Sequence, residues 1–324
     1  MNRSNVTDST VSIIIPVYNG ANYLKEAIDS ALSQTYDHIE VIVINDGSTD
    51  EGETEKIALS YGDKVRYFRK CNGGVASALN MGINKMRGEY VSWLSHDDVF
   101  YPDKIASQIA FLHSQTSPET ILYGDYDLIN AQSEIIEAID LIDPPQPGHM
   151  CFALTVRYPI HGCTTLIPRR CFERVGMFNE DLRTTQDYEL WFRFAKIFPI
   201  VHQPKRLIHS RRHEEQGTII MNRLHMREVD ELLKNFVHEI DPVELIEASG
   251  KPLPNAYAYI ANSYQKRGCY SAALQASRYS FRNIGELALV EKCKLFVCLL
   301  LMEAKGYISF ILKAMIDTSM KATI

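Results

Sequence analysis

Two adjacent carboxylates, Asp97 and Asp98, follow a short apolar run in the segment Tyr90–Asp98, YVSWLSHDD. Apolar runs of this length with polar flanks are typical of buried strands. A strand buried on both faces delivers its carboxyl end to the crevice where open α/β sheets bind ligands. Carboxylates there are unfavourable unless they meet a cation, and their hard oxygen atoms suit Mg²⁺ or Mn²⁺. The segment therefore predicts a site for a divalent cation and a diphosphate-bearing substrate.

Polar residues also end or follow three other predicted strands, at Pro16–Asn19, Asn45–Ser48 and Asn72–Ala76. Tyr18 could stack on a base, and Asp46 could accept a hydrogen bond from the ring N–H of uracil or thymine. The third segment contains two glycines, so its backbone N–H groups could approach a phosphate. Each segment taken alone is more often an ordinary turn, and only their combination at one sheet edge predicts a ligand site.

The composition restricts the class of protein. The 324 residues can form one large domain and a smaller one, and the formal charge of −6 argues against broad nucleic-acid binding. Seven cysteines without a CxxC pair indicate neither a zinc site nor a disulfide framework, so a reducing compartment is the simplest interpretation. The polar N-terminus is unlike a signal peptide, and no apolar run reaches the ~18–20 residues of a membrane span. These features predict a cytoplasmic globular protein.

Strand-like and helix-like segments alternate from Val11 to His209. This order predicts a mostly parallel sheet with helices on both faces, and Ile160–Pro168 is among its predicted strands. Strand signals stop near Leu224. The following stretch, AYAYIANSYQKRGCYSAALQASRYS, has the spacing of a single tetratricopeptide-type helical hairpin. We therefore expect an α/β domain over 1–222 and an all-α region over 223–324.

In this order and at this spacing, the motifs resemble those of the inverting glycosyltransferases of family 2, which have the GT-A fold. The matching segments are SIIIPVYNGANYLKEAIDSALSQTY, IEVIVINDGSTD, NGGVASALNMGINKMRGEYVSWLSHDD and GCTTLIPRRCFERVGMFNEDLRTTQDYELWFRFAK, and they cover about residues 11–213. The resemblance implies a nucleotide-diphospho-sugar donor, linked to UDP or dTDP, and a divalent cation, Mn²⁺ or Mg²⁺. It also implies transfer of the sugar to a hydroxyl of a glycan or lipid-linked saccharide in bacterial surface polysaccharide synthesis.

The resemblance also implies residue roles. Asp187, in TTQDYELW, matches the general base, although an acid at a helix start is by itself more often a first-turn residue. Asp97 and His213 match the metal site, although a lone His among charges is as often simply solvated. Glu189 is the weaker candidate for the base. The residues matching the donor site lie at strand ends and in the loops that follow them: Pro16, Val17, Tyr18, Asn19, Asp46, Asn72, Gly74, Ser77, Ser95, His96 and Asp98.

Two positions depart from the family pattern. Ser95 stands where the family often has the first acid of an Asp-x-Asp motif, so the metal-binding role falls on Asp97, with Asp98 assisting or holding the loop. Leu79 stands where many relatives carry a phosphate-facing Arg. Neutralisation of the diphosphate then depends more on the cation, on backbone N–H groups and on Arg212 or His213.

Three other classes of protein remain as alternatives. A nucleotidyltransferase with a related sheet would carry a basic glycine-rich loop after the first strand, and PVYNGANYL has no such loop. A non-catalytic scaffold is disfavoured by the acids Asp46, Asp97 and Asp187, and a dinucleotide dehydrogenase by the lack of GxGxxG after the first strand. The C-terminal helices, with the apolar tract Leu295–Met302, could bind a partner, form a homodimer or contact the inner face of the plasma membrane.

Overall fold

The computed structural model of the chain describes residues 9–141, 148–157, 160–214, 216–286 and residue 292. The chain divides into two compact units, one of Met1–Met150 and Pro159–Asn222, the other of Cys151–Tyr158 and Arg223–Ile324. Among the described residues, no helix has the length and apolar character that crossing a membrane requires. The tract Leu295–Met302 lies outside the described residues.

The described residues of the first unit contain nine strands. They are β1 (Val11–Val17), β2 (Ile39–Asn45), β3 (Val65–Arg69), β4 (Tyr90–Trp93), β5 (Val99–Phe100), β6 (Ile121–Ile129), β7 (Ile135–Ile139), β8 (Ile167–Pro168) and β9 (Ile200–Arg211). The helices of the described chain are α1 (Leu24–Leu32), α2 (Glu53–Leu59), α3 (Val75–Lys85), α4 (Lys104–His113), α5 (Met150–Val156), α6 (Arg169–Val175), α7 (Gln186–Ala195), α8 (Gly217–Ile220), α9 (Asn222–Glu239), α10 (Pro242–Ser249), α11 (Leu253–Lys266) and α12 (Tyr270–Arg282).

The main sheet has the strand order β3-β2-β1-β4-β8, with all pairs parallel except β4 with β8. Every residue of β1 is buried, as its continuous apolar sequence VSIIIPV requires for a central strand covered on both faces. The chain moves from β1 to β2 on one side and returns to β4 on the other. This reversal opens a crevice at the carboxyl ends of β1 and β4, where ligands bind in open α/β sheets. The α/β fold predicted from the sequence is confirmed.

A second sheet has the order β5-β9-β6-β7 and was not separated from the first by the sequence pattern. The long strand β9 pairs with β5 and β6, and it carries the chain back towards the segment that follows β4. The strand predicted over Ile160–Pro168 was mostly wrong. Within it, Gly162–Thr164 instead form a buried 3₁₀ turn, and only the two-residue strand β8 follows.

The second unit is helical in its described residues. Asp241 caps α10 by accepting a hydrogen bond from the N–H of Val243, and Gly250 ends the helix in the left-handed region. Helices α11 and α12 form a hairpin in which Tyr264 and small residues such as Ala272 are fully buried. The N–H of Phe152 in α5 donates to a carboxylate of α10, so this short helix belongs to the second unit. That this unit is a separate domain stays a prediction.

Candidate active site

Asp97 and His213 form a close pair at the carboxyl end of β4. The Oδ2 atom of Asp97 lies 3.0 Å from Nε2 of His213, and both side chains are largely buried. Burial raises the pKa of Asp97, but the hydrogen bond from His213 and nearby positive charge outweigh it, and the pKa lies below the ordinary value. The pair therefore presents an ionised carboxylate next to an imidazole, although 116 positions separate the two residues in the chain.

Asp98 is buried, and its carboxyl is bonded within the protein. Its Oδ1 accepts the backbone N–H of Arg211 at 2.9 Å, and its carboxyl lies in a buried cluster with His161 and Cys163. Burial and the negative charge of Asp97 raise the pKa of Asp98 to about 7. The Sγ atom of Cys163 also lies 3.3 Å from both the N and the Oγ of Ser95. Ser95 and Asp98 thus anchor the loop that presents Asp97.

The pair Asp97–His213 fits a divalent cation better than the buried cluster does. Two ligands placed at right angles about 2.1 Å from one ion are about 3 Å apart, and carboxylate and imidazole both suit Mn²⁺. In the cluster, Cys163 is a neutral thiol because burial raises its pKa well above the ordinary value. His161 is already bonded to Ser210 through Nε2, at 3.0 Å. We therefore assign the cluster to support of the loop.

Asp46 holds the glycine loop, which we define as residues 72–74. Its two carboxylate oxygens accept the N–H of Gly74 at 2.7 Å and the N–H of Gly73 at 3.0 Å. The ammonium of Lys70 donates to the same carboxylate at 2.8 Å. Asp46 is nearly inaccessible, with 3% of its surface exposed, and it faces these donors. A contact between Asp46 and a pyrimidine N–H stays a prediction.

Some of the residues at the end of β1 that are predicted to bind the nucleotide-sugar are buried, and others are exposed. Pro16 and Val17 are buried within the strand, whereas the ring of Tyr18 is 45% exposed and open to a ligand. The N–H of Asn19 donates to Ser48 Oγ at 2.9 Å, and Asn19 Oδ1 accepts the N–H of Thr49 at 2.7 Å. These bonds join the ends of β1 and β2 into one rim.

The other residues predicted to bind the nucleotide-sugar lie near the segment that follows β1 and at the glycine loop. The ring of His96 packs so closely on Gly20 that a Cβ at Gly20 would lie 2.4 Å from it. Asn72 is exposed at the start of the glycine loop. Ser77 Oγ would lie 2.7 Å from a Cβ placed on Gly73, so this hydroxyl borders the loop. Contacts of these residues with a nucleotide stay predictions.

Asp187 lies in the first turn of α7, whose N-terminus follows Thr185. Its Oδ1 accepts the N–H of Tyr188 at 2.9 Å. Burial raises the pKa of Asp187 to about 6, against the opposing effect of this backbone hydrogen bond. By contrast, Glu189 forms a two-point ion pair with Arg193, with Nε–Oε1 and Nη2–Oε2 distances of 2.7 and 2.8 Å. Of these two carboxylates, Asp187 is thus the one with a raised pKa, and its role as the base stays a prediction.

Three basic residues near the site were missed by sequence reasoning. Arg183 donates from Nη1 to the carbonyl of Gly73, which connects the segment before α7 to the glycine loop. Lys70 pairs with Asp46, and Arg211 is almost fully buried behind the Asp97 loop. No local signal separates Arg211 from its exposed neighbour Arg212, because only pairing with distant strands decides which of the two is buried.

Comparison with known proteins agrees with this geometry. The model of the family described as Glycosyl transferase family 2 matches residues 12–174, about half of the chain. An uncharacterized glycosyltransferase from Rickettsia conorii (strain ATCC VR-613 / Malish 7) is 47% identical over 280 residues, which is 85% of this chain and 46% of that protein. The chain thus spans about half the length of such curated relatives.

Two solved structures share the fold at low sequence identity. S. aureus TarS 1–349 in complex with UDP-GlcNAc has a TM-score of 0.61 and 16% identity, over 92% of this chain and 89% of that one. The mannosyltransferase PcManGT from Pyrobaculum calidifontis, in complex with GDP-Man and Mn²⁺, has a TM-score of 0.56 and 17% identity, over 94% of this chain and 86% of that one. With its crevice, its family match and its close relatives, the chain belongs to glycosyl transferase family 2 and has the GT-A fold.

Proposed function

We propose that the chain transfers a sugar from a nucleotide-diphospho-sugar to an acceptor hydroxyl with inversion at the anomeric carbon. The observation that carries the proposal is the carboxyl of Asp187, with a pKa raised by burial to about 6 and no cation paired with it among the described contacts. A base in this range is still ionised at neutral pH and is more basic than an ordinary carboxylate, which favours proton removal. Asp187 would deprotonate the acceptor hydroxyl as it attacks the sugar.

The donor side of the proposal rests on Asp97 and His213. These residues would hold Mn²⁺ or Mg²⁺, and a cation bound there would act as a Lewis acid towards the departing diphosphate. The Arg183 guanidinium beside Gly73 adds positive potential near the phosphates, whereas the N–H groups of Gly73 and Gly74 are bonded to the Asp46 carboxylate. This set offsets the lack of a cation at Leu79, which is buried in α3.

We propose UDP or dTDP as the nucleotide. The exposed ring of Tyr18 offers a stacking surface next to the rim made by Asn19 and Ser48. The TarS structure with UDP-GlcNAc supports a uridine donor for a chain of this fold, whereas the PcManGT structure with GDP-Man makes GDP the competing choice. The nucleotide therefore needs a direct comparison of all three.

The acceptor that we propose is a hydroxyl of a glycan or lipid-linked saccharide in bacterial surface polysaccharide synthesis. The cytoplasmic location stays a prediction, as does contact of the C-terminal helices with a membrane or with a second copy of the chain. Transfer of labelled sugar into a lipid-extractable or polysaccharide fraction of cells that make the protein would support this role. Label found only as free sugar would contradict it.

The experiment that tests the function is a thermal-shift screen of UDP-, dTDP- and GDP-sugars with Mn²⁺, followed by turnover of the donor that binds. We expect one nucleotide class to raise the unfolding temperature, because a ligand that binds only the folded state stabilises it. Release of nucleoside diphosphate should stop in chelator and return when Mn²⁺ or Mg²⁺ is added. Absence of a shift with every donor would contradict the proposal, and full turnover in chelator would remove the cation from it.

A further inference from the structure

Arg211, the last residue of β9, has a guanidinium that is removed from water. The residue is 1% exposed, and burying a charged group is unfavourable unless other groups compensate it. Its compensation comes from a carboxylate and an aromatic ring. Nη2 lies 2.6 Å from Oε2 of Glu26, and the guanidinium carbon lies 4.4 Å from the centre of the Tyr23 ring. A buried cation of this kind indicates a position where geometry is tightly held.

The contacts of Arg211 join chain segments that are far apart in the sequence. Nε donates to the carbonyl of Asp97 at 2.8 Å, and the backbone N–H donates to Oδ1 of Asp98 at 2.9 Å. Nη1 donates to the carbonyl of Asn130 at 3.1 Å and to Oγ of Ser133 at 2.9 Å, both in the turn between β6 and β7. Together with Glu26 of α1, these partners fix the Asp97 loop against two other elements.

The same arrangement also holds His213. This residue follows Arg211 by two positions, and its ring centre lies 5.2 Å from that of Tyr23, the ring on which Arg211 also rests. Gln216 donates from Nε2 to the carbonyl of Arg211, which closes the backbone turn around His213. Arg211 therefore fixes the positions of both predicted metal ligands. It holds Asp97 by a hydrogen bond to the Asp97 carbonyl, and it holds His213 through the short backbone segment that joins the two residues.

We propose that Arg211 is a positioning residue for the divalent-cation site, acting through Asp97 and His213 without touching the ion. The inference rests on the proposed function, because it takes this pair as the ligands. Loss of the guanidinium would let the Asp97 loop and the end of β9 relax separately. The two ligand atoms would then no longer be held 3.0 Å apart, and the affinity for the cation would fall.

The test compares Mn²⁺ binding by the full-length chain and its variants, with and without UDP, using the electron paramagnetic resonance signal of free Mn²⁺. R211M removes the donors and keeps an apolar stem. We expect it to weaken Mn²⁺ binding by about 10- to 100-fold, the range observed when groups that orient metal ligands are removed. The Mn²⁺ concentration that gives half-maximal turnover should rise in parallel, and kcat should recover towards that of wild type when Mn²⁺ is saturating.

The matched control is R66M. Arg66 pairs with Glu40 at 2.5 Å and is partly buried, with 26% of its side chain exposed. Both residues lie near the amino ends of β3 and β2, at the opposite edge of the sheet. R66M should lower the unfolding temperature while leaving Mn²⁺ affinity unchanged. E26Q, which removes only the carboxylate partner of Arg211, should weaken Mn²⁺ binding in the same direction as R211M and by less.

Several outcomes would overturn the inference. It fails if R211M binds Mn²⁺ as tightly as wild type. It also fails if R211M does not fold and both R211K and E26Q bind Mn²⁺ as wild type does, because Arg211 would then serve folding alone. Wild type that transfers sugar but holds no Mn²⁺ would contradict the ligand pair itself. The expected pattern of Mn²⁺ binding in wild type and variants, without transfer from any donor, would instead contradict the proposed function and leave the inference standing.

Discussion

At the scale of single residues, the environment distinguishes two carboxylates that lie two positions apart on α7. Glu189 is neutralised by Arg193, whose guanidinium is also fixed by the carbonyls of Val175 and Met177. Asp187 has no such cation at its carboxylate among the described contacts, and burial alone raises its pKa. Two carboxylates on one helix can thus differ in role: Glu189 forms an ion pair, and Asp187 is the one that we propose for proton transfer.

The pH dependence of turnover should report Asp187. Because its pKa is raised to about 6, the ionised base is present above that pH and is lost as the pH falls through it. We expect kcat/KM at saturating Mn²⁺ to fall about tenfold per pH unit below this point, as for a single essential base. The pH at which kcat/KM begins to fall should change little with temperature, because the ionisation of a carboxyl group is nearly thermoneutral. If an imidazole were responsible, that pH would change clearly with temperature.

If kcat/KM began to fall only near pH 4, the ordinary range of an aspartate, the raised pKa of Asp187 would be contradicted. A midpoint that shifts strongly with temperature would assign the titration to an imidazole and away from Asp187. A midpoint that moves in D98N would assign it to Asp98, whose pKa is also raised, to about 7.

The sequence could nominate Asp97, Asp187 and His213 because each stands in a short motif that the family resemblance matches. It could not nominate Arg211 or Arg183. Their roles depend on contacts with Asp97 and Gly73, 114 and 110 positions away, and their local sequences contain only exposed-looking basic residues. Residues that act by fixing others leave no local periodicity, so only the assembled fold reveals them.

At the scale of elements, the glycine loop and the start of α3 depend on backbone shape. Gly74 precedes α3 with φ of +90°, and a Cβ there would lie 2.3 Å from Nη1 of Arg183. Gly52 holds the equivalent place before α2 with φ of +86°, but a Cβ there would meet nothing within 4 Å. Both glycines have a positive φ, but ψ is 8° at Gly52, in the left-handed helical region, and 170° at Gly74, in a region that is essentially restricted to glycine. G74A therefore combines greater backbone strain with a clash at Arg183, and G52A controls for a positive φ alone.

Replacing each of these glycines by alanine should separate backbone strain from damage to the site. G52A should lose about 1–3 kcal/mol of unfolding free energy, the effect of a left-handed backbone on a residue with a Cβ, with normal turnover. G74A should lose at least as much and also raise the KM for the donor, because Arg183 must leave Gly73. The measurements are denaturant unfolding and donor kinetics of both variants.

Equal donor KM values in G74A and G52A would contradict a role of the glycine loop in donor binding. A G52A variant with impaired donor binding would show that the strain acts on the whole unit, and the comparison would then carry no information about the loop.

The elements themselves were predictable to different degrees. Strands β1 and β4 were found from their apolar runs, because a buried parallel strand needs apolar residues on both faces. The second sheet was not, since its pairing of β6 with β9 joins residues such as Ile121 and Ile200, which no local pattern connects. The strand expected at Ile160–Pro168 gave way to a turn, because His161 and Cys163 are used there in hydrogen bonds behind the Asp97 loop.

At the scale of the whole molecule, the second compact unit is not contiguous in sequence. Helix α5 belongs to it: the N–H of Phe152 donates to Oε1 of Glu244 at 2.8 Å, and Ser263 Oγ donates to the carbonyl of Val156. A cut at residue 222, the predicted boundary, would therefore separate α5 from the helices that it contacts. Because the chain spans about half the length of some curated relatives, further partners of these helices stay open to experiment.

A fragment that ends at Asn222 should be less stable than the full chain. Losing the partners of α5 leaves buried polar groups unsatisfied, which costs about 1–3 kcal/mol for each. We expect the fragment to associate on size-exclusion chromatography and to unfold at a lower temperature. Co-expression of residues 223–324 should reverse both effects. A fragment that is monomeric and as stable as the full chain would contradict the assignment of α5 to the second unit.

The most direct test of the account is D187N, compared with E189Q, in donor binding and turnover. Replacing Asp187 removes a desolvated ionised group, so at neutral pH D187N should be at least as stable as wild type. It should bind the donor and Mn²⁺ normally and lower kcat by about 10²–10⁴-fold, while E189Q should stay active. A D187N enzyme that turns over at the wild-type rate would contradict the assignment of Asp187 as the base and the mechanism that depends on it.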